Sequence, residues 1–379
     1  MFNRLDPGVR KFFDFLSRPA KLQLSLLWRP IGLLIALYVF ILSITLLGAS
    51  FKLFGKDFAE TLLTTTSNPV IGLFIGILAT SIIQSSSTTT SIVVGMVAGG
   101  LISIEGAIPI VMGANIGTTI TNTMVSLTHI TRSREFGRAF GGAIVHDVFN
   151  LLAVILLFPL QYFTNFLGYA ALFMEGVFEN SGGLQFISPI KVITEPVVNG
   201  IIHLLGDSSW LSALIAILML FVALKFMVDI MKSLVISRVE GFFDRTIFKT
   251  TFRALTFGII LTSIVQSSSI TTSLVIPLVG AGVLTIRQIY PYTLGANIGT
   301  TVTAIMASLV TQNPGAVAVA FSHLLFNIFG ISIFLPLTKI PITLANKVAE
   351  LTARSKLYPI AFILLIFFII PIVLIYLLR

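Results

Sequence analysis

The sequence predicts an all-α, polytopic membrane protein made of two inverted-topology repeats, each containing a broken-helix hairpin. Three observations carry this expectation. The 379 residues are 56% hydrophobic and only 10% charged, with mean hydropathy +1.01, too apolar for the surface of a water-soluble domain. Seven continuous apolar runs, 31–51, 107–127, 139–160, 210–235, 289–310, 316–337 and 357–378, each reach the roughly 20 residues a helix needs to cross about 30 Å of hydrocarbon. Their continuity excludes a barrel, whose strands alternate with period two. Finally, the stretch 80–91 (TSIIQSSSTTTS) returns 182 residues later as 262–273 (TSIVQSSSITTS), identical at ten of twelve positions. At the same offset GANIGTTIT, 113–121, matches GANIGTTVT, 295–303, at eight of nine, so the chain is a duplicated unit.

The elements follow in order. Segment 1–30, with Arg4, Arg10, Lys11, Arg18, Lys21 and Arg29, is expected to stay uncleaved in the cytoplasm, because its basic groups precede the first apolar run. Repeat 1 is assigned to 31–160 and repeat 2 to 210–338. Between them, 161–209 is expected to be an extracytoplasmic loop, carrying Glu175, Glu179, Glu195 and Asp207 against a single Lys191. A basic cytoplasmic loop, 339–356, leads to a last transmembrane helix, 357–379. When 68–103 and 254–286 are drawn as hairpins that leave and return on one side, every basic cluster lands inside. These clusters are Arg132, Arg134 and Arg138; Arg238, Arg245, Lys249 and Arg253; and Lys339, Lys347, Arg354 and Lys356. The repeats then enter the membrane from opposite faces, an arrangement common among secondary transporters, with the site near the midplane. The net charge of +9 is a topology signal on this view, not a nucleic-acid footprint, and a plasma-membrane (bacterial inner-membrane) location is expected. The absence of cysteine excludes disulfides and thiolate metal sites.

Polar groups inside such runs are expensive and mark candidate sites. Gln84, Ser85, Ser86 and Ser87, and their copies Gln266, Ser267, Ser268 and Ser269, occupy all sides of a helix. A break there frees backbone N–H groups, and a half-helix N-terminus favours an anion. The hydroxyls suit phosphate oxygens or a hard cation; close helix packing is the plainer alternative. Asn115 and Asn297 in the Gly-Ala-Asn-Ile-Gly-Thr-Thr boxes are candidate anion contacts, with an interhelical role as glue the alternative. Nearby Thr88, Thr118, Thr119, Thr300 and Thr301 add neutral oxygens for Na⁺. His146 and Asn150 recur as His323 and Asn327 at an offset of 177, and each pair shares a helix face. For both histidines the plainer role, a bond to neighbouring backbone, is favoured. Asp147 has no acidic counterpart, since Leu324 stands there, and an unpaired intramembrane acid is read as a cation ligand. Asp229, between Lys225 and Lys232, reads as an interfacial charge pair without chemistry.

The doubled Gln-Ser-Ser-Ser, the two Gly-Ala-Asn-Ile-Gly-Thr-Thr boxes and His146-Asp-x-x-Asn150 together closely resemble the type II sodium-dependent phosphate cotransporters, in a bacterial form, from about residue 26 to 371. The resemblance implies Na⁺-coupled uptake of inorganic phosphate as the divalent anion, with the Gln-Ser-Ser-Ser tips as substrate site. It further implies that Thr123, Asn150 and hydroxyls of the second repeat hold Na⁺, that Asp147 marks an electrogenic member, and that the protein is a homodimer. Where animal members carry Gln and Asp in the first basic loop, this chain has His129 and Arg132. Na⁺ is the coupling ion and no organic cofactor is expected. Neither repeat places Lys or Arg among its motifs, so Na⁺ is expected to supply all the compensating charge. Other tetrahedral oxyanions remain open on the chemistry alone. An intramembrane serine hydrolase is the competing class, but neighbouring His and Asp side chains leave a helix about 100° apart and form no relay.

Overall fold

The computed structural model describes residues 20–131, 133–180, 188–239, 247–355 and 357–378; Arg132, Arg245 and most of the expected segment 1–30 lie outside them. The described residues are helical, with no strand among them. Among the described residues six helices are long and apolar enough to cross a membrane, spanning Trp28–Lys52, Glu135–Thr164, Ser209–Ser233, Ile286–Thr311, Pro314–Phe334 and Leu357–Leu378.

The chain opens with α1 (Ala20–Lys52) and the short amphipathic α2 (Lys56–Thr66). The first hairpin consists of α3 (Pro69–Ile83) and α4 (Ser86–Ala98). Next come α5 (Ile104–Thr118) and α6 (Ile120–Ser126), which lead into α7 (Ser133–Thr164). The run 107–127 is therefore not one continuous helix. At its division Thr119 tightens the turn: its N–H bonds Ile116 O at 3.2 Å and its hydroxyl the same carbonyl at 2.8 Å, an i−3 pattern.

The segment 161–209, expected as a loop, is largely helix: α8 (Phe166–Asn180) and α9 (Ser188–Leu204), with 181–187 outside the described residues. On α8 the buried Leu167, Gly168, Ala171 and Glu175 share one face, so a charge count alone misses an amphipathic helix.

The second half repeats the plan with α10 (Ser209–Val239) and the hairpin α11 (Thr251–Val265), α12 (Ser268–Ser273) and α13 (Ile276–Gly280). It continues with α14 (Ile286–Thr311) and α15 (Pro314–Phe334). The second hairpin's return arm breaks where the first does not, because Pro277, which replaces Gly95, has no N–H to continue the ladder. The expected loop 339–356 contains α16 (Lys339–Arg354), an amphipathic helix that buries Ala345 and Ala349 and packs on α7; α17 (Leu357–Leu378) follows.

The duplicated glycines set the tightest packing. A Cβ at Gly113 would lie 2.0 Å from Leu73 O and one at Gly295 2.1 Å from Leu255 O. The outgoing arm of each hairpin, α3 or α11, therefore lies backbone to backbone on the helix bearing the Gly-Ala-Asn-Ile-Gly motif, α5 or α14, and only glycine fits the crossing.

Candidate functional site

Both Gln-Ser-Ser-Ser runs break their helix in the same way. Gln84 and Gln266 take the left-handed conformation, each with φ 58°, and donate their N–H to Thr80 O at 2.7 Å and Thr262 O at 2.6 Å. A non-glycine residue there costs roughly 1 kcal/mol, and strain kept in both copies points to a use for the amide. The next serine becomes an N-cap: the Ser85 hydroxyl accepts from Thr88 N–H at 3.2 Å and Ser267 from Ile270 N–H at 3.3 Å. A new helix thus starts at Ser86, with the positive end of its dipole at the break.

The two breaks meet. Ser87 Oγ donates to Gln266 O at 3.2 Å and lies 3.1 Å from Thr300 Oγ1. Ser85, Ser87 and Thr88 of one hairpin and Gln266 and Ser267 of the other line one half-open cavity of about 220 Å³, to which α10 also contributes. Gln266 Oε1 and the buried Ser268 hydroxyl have no hydrogen-bond partner. The Gln amides keep the repeat symmetry, approaching Met124 Sδ at 3.5 Å and Met306 Sδ at 3.8 Å. Gln84, Ser86, Ser268 and Ser269 do not line this cavity; the three serines are buried. Lys225 and Asp229 of α10 line the cavity together with the tips.

Asn115 and Asn297 lie elsewhere, in a buried polar chain that joins the repeats. Thr272 Oγ1 donates to Asn122 Oδ1 at 2.9 Å, which turns the Asn122 amide nitrogen toward His146 Nδ1 at 3.3 Å. His146 therefore accepts at Nδ1 and donates from Nε2 to Asn297 Oδ1 at 2.6 Å. Asn297 passes the chain on through Nδ2 to Asn150 Oδ1 at 2.8 Å, and Asn150 donates to Asn115 O at 2.8 Å. Asn327 closes it, donating to Asn115 Oδ1 at 3.4 Å. The expected backbone bond for the histidines does not describe His146, which bridges amides of both repeats. His323, equally buried, has no hydrogen-bond partner at either ring nitrogen. With both nitrogens held by amides, His146 is not free to act as a general base toward a serine.

The candidate cation ligands divide. Thr123 donates to Asp147 Oδ2 at 2.8 Å, while Asp147 Oδ1 and Asn327 Oδ1 are buried without a partner, which leaves hard oxygens for a cation. Thr118, Thr119 and Thr301 bond carbonyls of their own helix, at 2.8, 2.8 and 2.7 Å. Thr88 bonds Ser85 Oγ at 2.9 Å at the cavity, and Thr300 meets Ser87. Among the described residues no cluster of three His, Asp or Glu side chains could hold a metal, so any ion here depends mainly on neutral oxygens.

Sequence reasoning passed over Asn122 and Thr272, which begin the chain, and read Lys225 only as a partner of Asp229 in an interfacial charge pair. Asn122 carried a readable signal: Ala304 stands at its repeat position, the same asymmetry that singled out Asp147.

Fold and site together define a helical membrane protein whose polar core is shared between two related halves. The model of the Na+/Pi-cotransporter family matches residues 39–174 and 219–368, and the chain belongs to that family. It is 34% identical to sodium-dependent phosphate transport protein 2A of Rattus norvegicus, across 88% of this chain and 65% of that protein. It is 31% identical to sodium-dependent phosphate transport protein 2B of Homo sapiens, across 97% of this chain and 67% of that protein. The chain thus spans about two thirds of the length of these relatives. No solved structure matches it.

Proposed function

We propose that this chain is a secondary active transporter that takes up inorganic phosphate, as HPO₄²⁻, with Na⁺. The observation that carries the reading is the convergence of both Gln-Ser-Ser-Ser breaks on one cavity, where hydroxyls, an amide and the N-terminus of α4 face a common space. Such a site binds a tetrahedral oxyanion with donors that need no proton transfer. Asp147 Oδ1 and neighbouring neutral oxygens serve Na⁺. Cation and anion then bind interdependently, as linkage requires. The repeats have inverted topology, the N-terminus is cytoplasmic, and alternating access exposes the cavity to each side in turn. A surplus positive charge per cycle couples uptake to voltage at roughly 2.3 kcal/mol per 100 mV. Each Na⁺ running down a tenfold gradient adds about 1.4 kcal/mol.

The test is uptake of labelled phosphate into proteoliposomes with and without an inward Na⁺ gradient, with sulfate and arsenate as competitors. Uptake that ignores Na⁺, or that prefers sulfate, would overturn the proposal.

A further inference from the structure

We propose that Lys225 supplies the fixed positive charge of the anion site, with Asp229 as the competing counter-charge; this rests on the transport function above. The two residues stand at i and i+4 on α10, within the apolar span Ser209–Ser233, and both line the cavity formed by the hairpin tips. Among the described residues that line the cavity they are the one cation and the one acid. Among the described residues neither Lys225 nor Asp229 is bound in an ion pair, unlike His129 with Glu135 or His203 with Asp207.

The duplication makes this placement informative. Trp28 and Trp210 are 182 residues apart, the offset of the repeat, so α1 is the counterpart of α10. At the positions of Lys225 and Asp229, α1 carries Ser43 and Leu47, both fully buried. Ser43 spends its hydroxyl on Phe40 O of its own helix at 2.7 Å. At these two positions the helix pair is therefore uncharged in one half and charged in the other, and only the charged positions border the cavity. A lysine or aspartate inside a span costs about 2.5–3.5 kcal/mol on insertion scales, a cost that a polar cavity lowers and a bound anion offsets.

The chemistry fits one ligand class. An ammonium is a compact donor for a phosphate oxygen, and a hydrogen bond between charged partners is about twice as strong as a neutral one. The serines and the α4 N-terminus supply neutral donors from the opposite wall, so a phosphate between them is held from both sides. Without anion, Asp229 one turn away is the group that competes for the ammonium, and its charge opposes phosphate entry. A lysine that merely laid its stem along the helix toward the membrane surface would show neither effect.

The two signs of charge give opposite predictions in one assay. Phosphate KM is measured in proteoliposomes at saturating Na⁺ for wild type, Lys225→Gln, Lys225→Arg and Asp229→Asn. Lys225→Gln is expected to raise KM about tenfold with the maximal rate within about twofold. Lys225→Arg should recover most of that loss, and Asp229→Asn should lower KM several-fold. The Na⁺ half-saturation, measured with phosphate scaled to each variant's KM so that linkage is held constant, should be unchanged throughout. An unchanged KM in Lys225→Gln, or an increase in Asp229→Asn, overturns the assignment while wild-type uptake leaves the transport function standing. If Lys225→Gln fails to reach the membrane, the direction of the Asp229→Asn shift decides. A wild-type chain that takes up no phosphate would instead sink the transport function, and this inference with it.

Discussion

Asn297 is the link whose removal has the most calculable consequence. It is 2% exposed, accepts from His146 Nε2 at 2.6 Å and donates to Asn150 Oδ1 at 2.8 Å, tying α14 of the second half to α7 of the first. Asn297→Ala deletes both bonds and leaves an N–H and a carbonyl oxygen, each fully buried, without partners. Orphaned buried groups cost about 1–3 kcal/mol each, but interhelical hydrogen bonds in membranes average about 0.6 and reach about 1.7 kcal/mol. Because both orphans are sealed from water, the upper membrane value applies to each, and the expected loss is about 3 kcal/mol. Purified protein titrated from mild detergent into SDS, followed by tryptophan fluorescence, measures it. Ser322→Ala is the control: its hydroxyl bonds only Val319 O of its own helix, at 2.7 Å, and should cost under about 0.5 kcal/mol. Asn150→Ala added to Asn297→Ala should cost about 1 kcal/mol less than the sum of the singles, since one orphan disappears with its residue. A loss below about 0.5 kcal/mol for Asn297→Ala, or strict additivity of the pair, would refute the continuous chain.

Four further outcomes are expected. Asp147→Gly removes the carboxylate that Thr123 orients, and uptake should lose its acceleration by an inside-negative potential while still needing Na⁺; retained voltage dependence would make Asp147 structural. Gly295→Ala drives a Cβ to 2.1 Å from Leu255 O and should cost about 3 kcal/mol or more, seen as loss of monodisperse protein on size exclusion. Gly137→Ala, with nothing within 4 Å of the added carbon, should be neutral or slightly stabilising in the same assay. In a chain without native cysteine, Asp207→Cys should react with an impermeant thiol reagent in intact cells and Ser355→Cys should not; the reverse labelling would overturn the inverted topology.

The extent of what could be read in advance differs by element. The breaks at Gln84 and Gln266 were legible because four successive polar residues leave a lipid-facing helix no apolar side, and duplication removes chance. Asp147 was legible by its missing counterpart. The helices α8 and α16 were not, because charge sign places a segment relative to the membrane without saying how its backbone is arranged. The division at Thr119 also escaped notice, since its repeat position, Thr301, sits in the unbroken α14 with nearly the same neighbours.

By itself, then, the sequence determined the helical membrane class, the duplication, the family and the two breaks, all of which rest on composition and on contacts a few residues long. Only the tertiary structure decided which polar groups share a space. It set Asn115 and Asn297 into a buried chain with His146, and it left Ser85, Ser87 and Ser267 lining one cavity with Lys225. The reason is distance along the chain: Ser87 meets Gln266 and Thr300 because α4 and the second hairpin's break are packed together, 179 and 213 residues apart in sequence. No local pattern encodes which face of one repeat meets the other. That pairing is settled by backbone approach at glycines such as Gly113 and Gly295, and by the need to satisfy every buried donor at once.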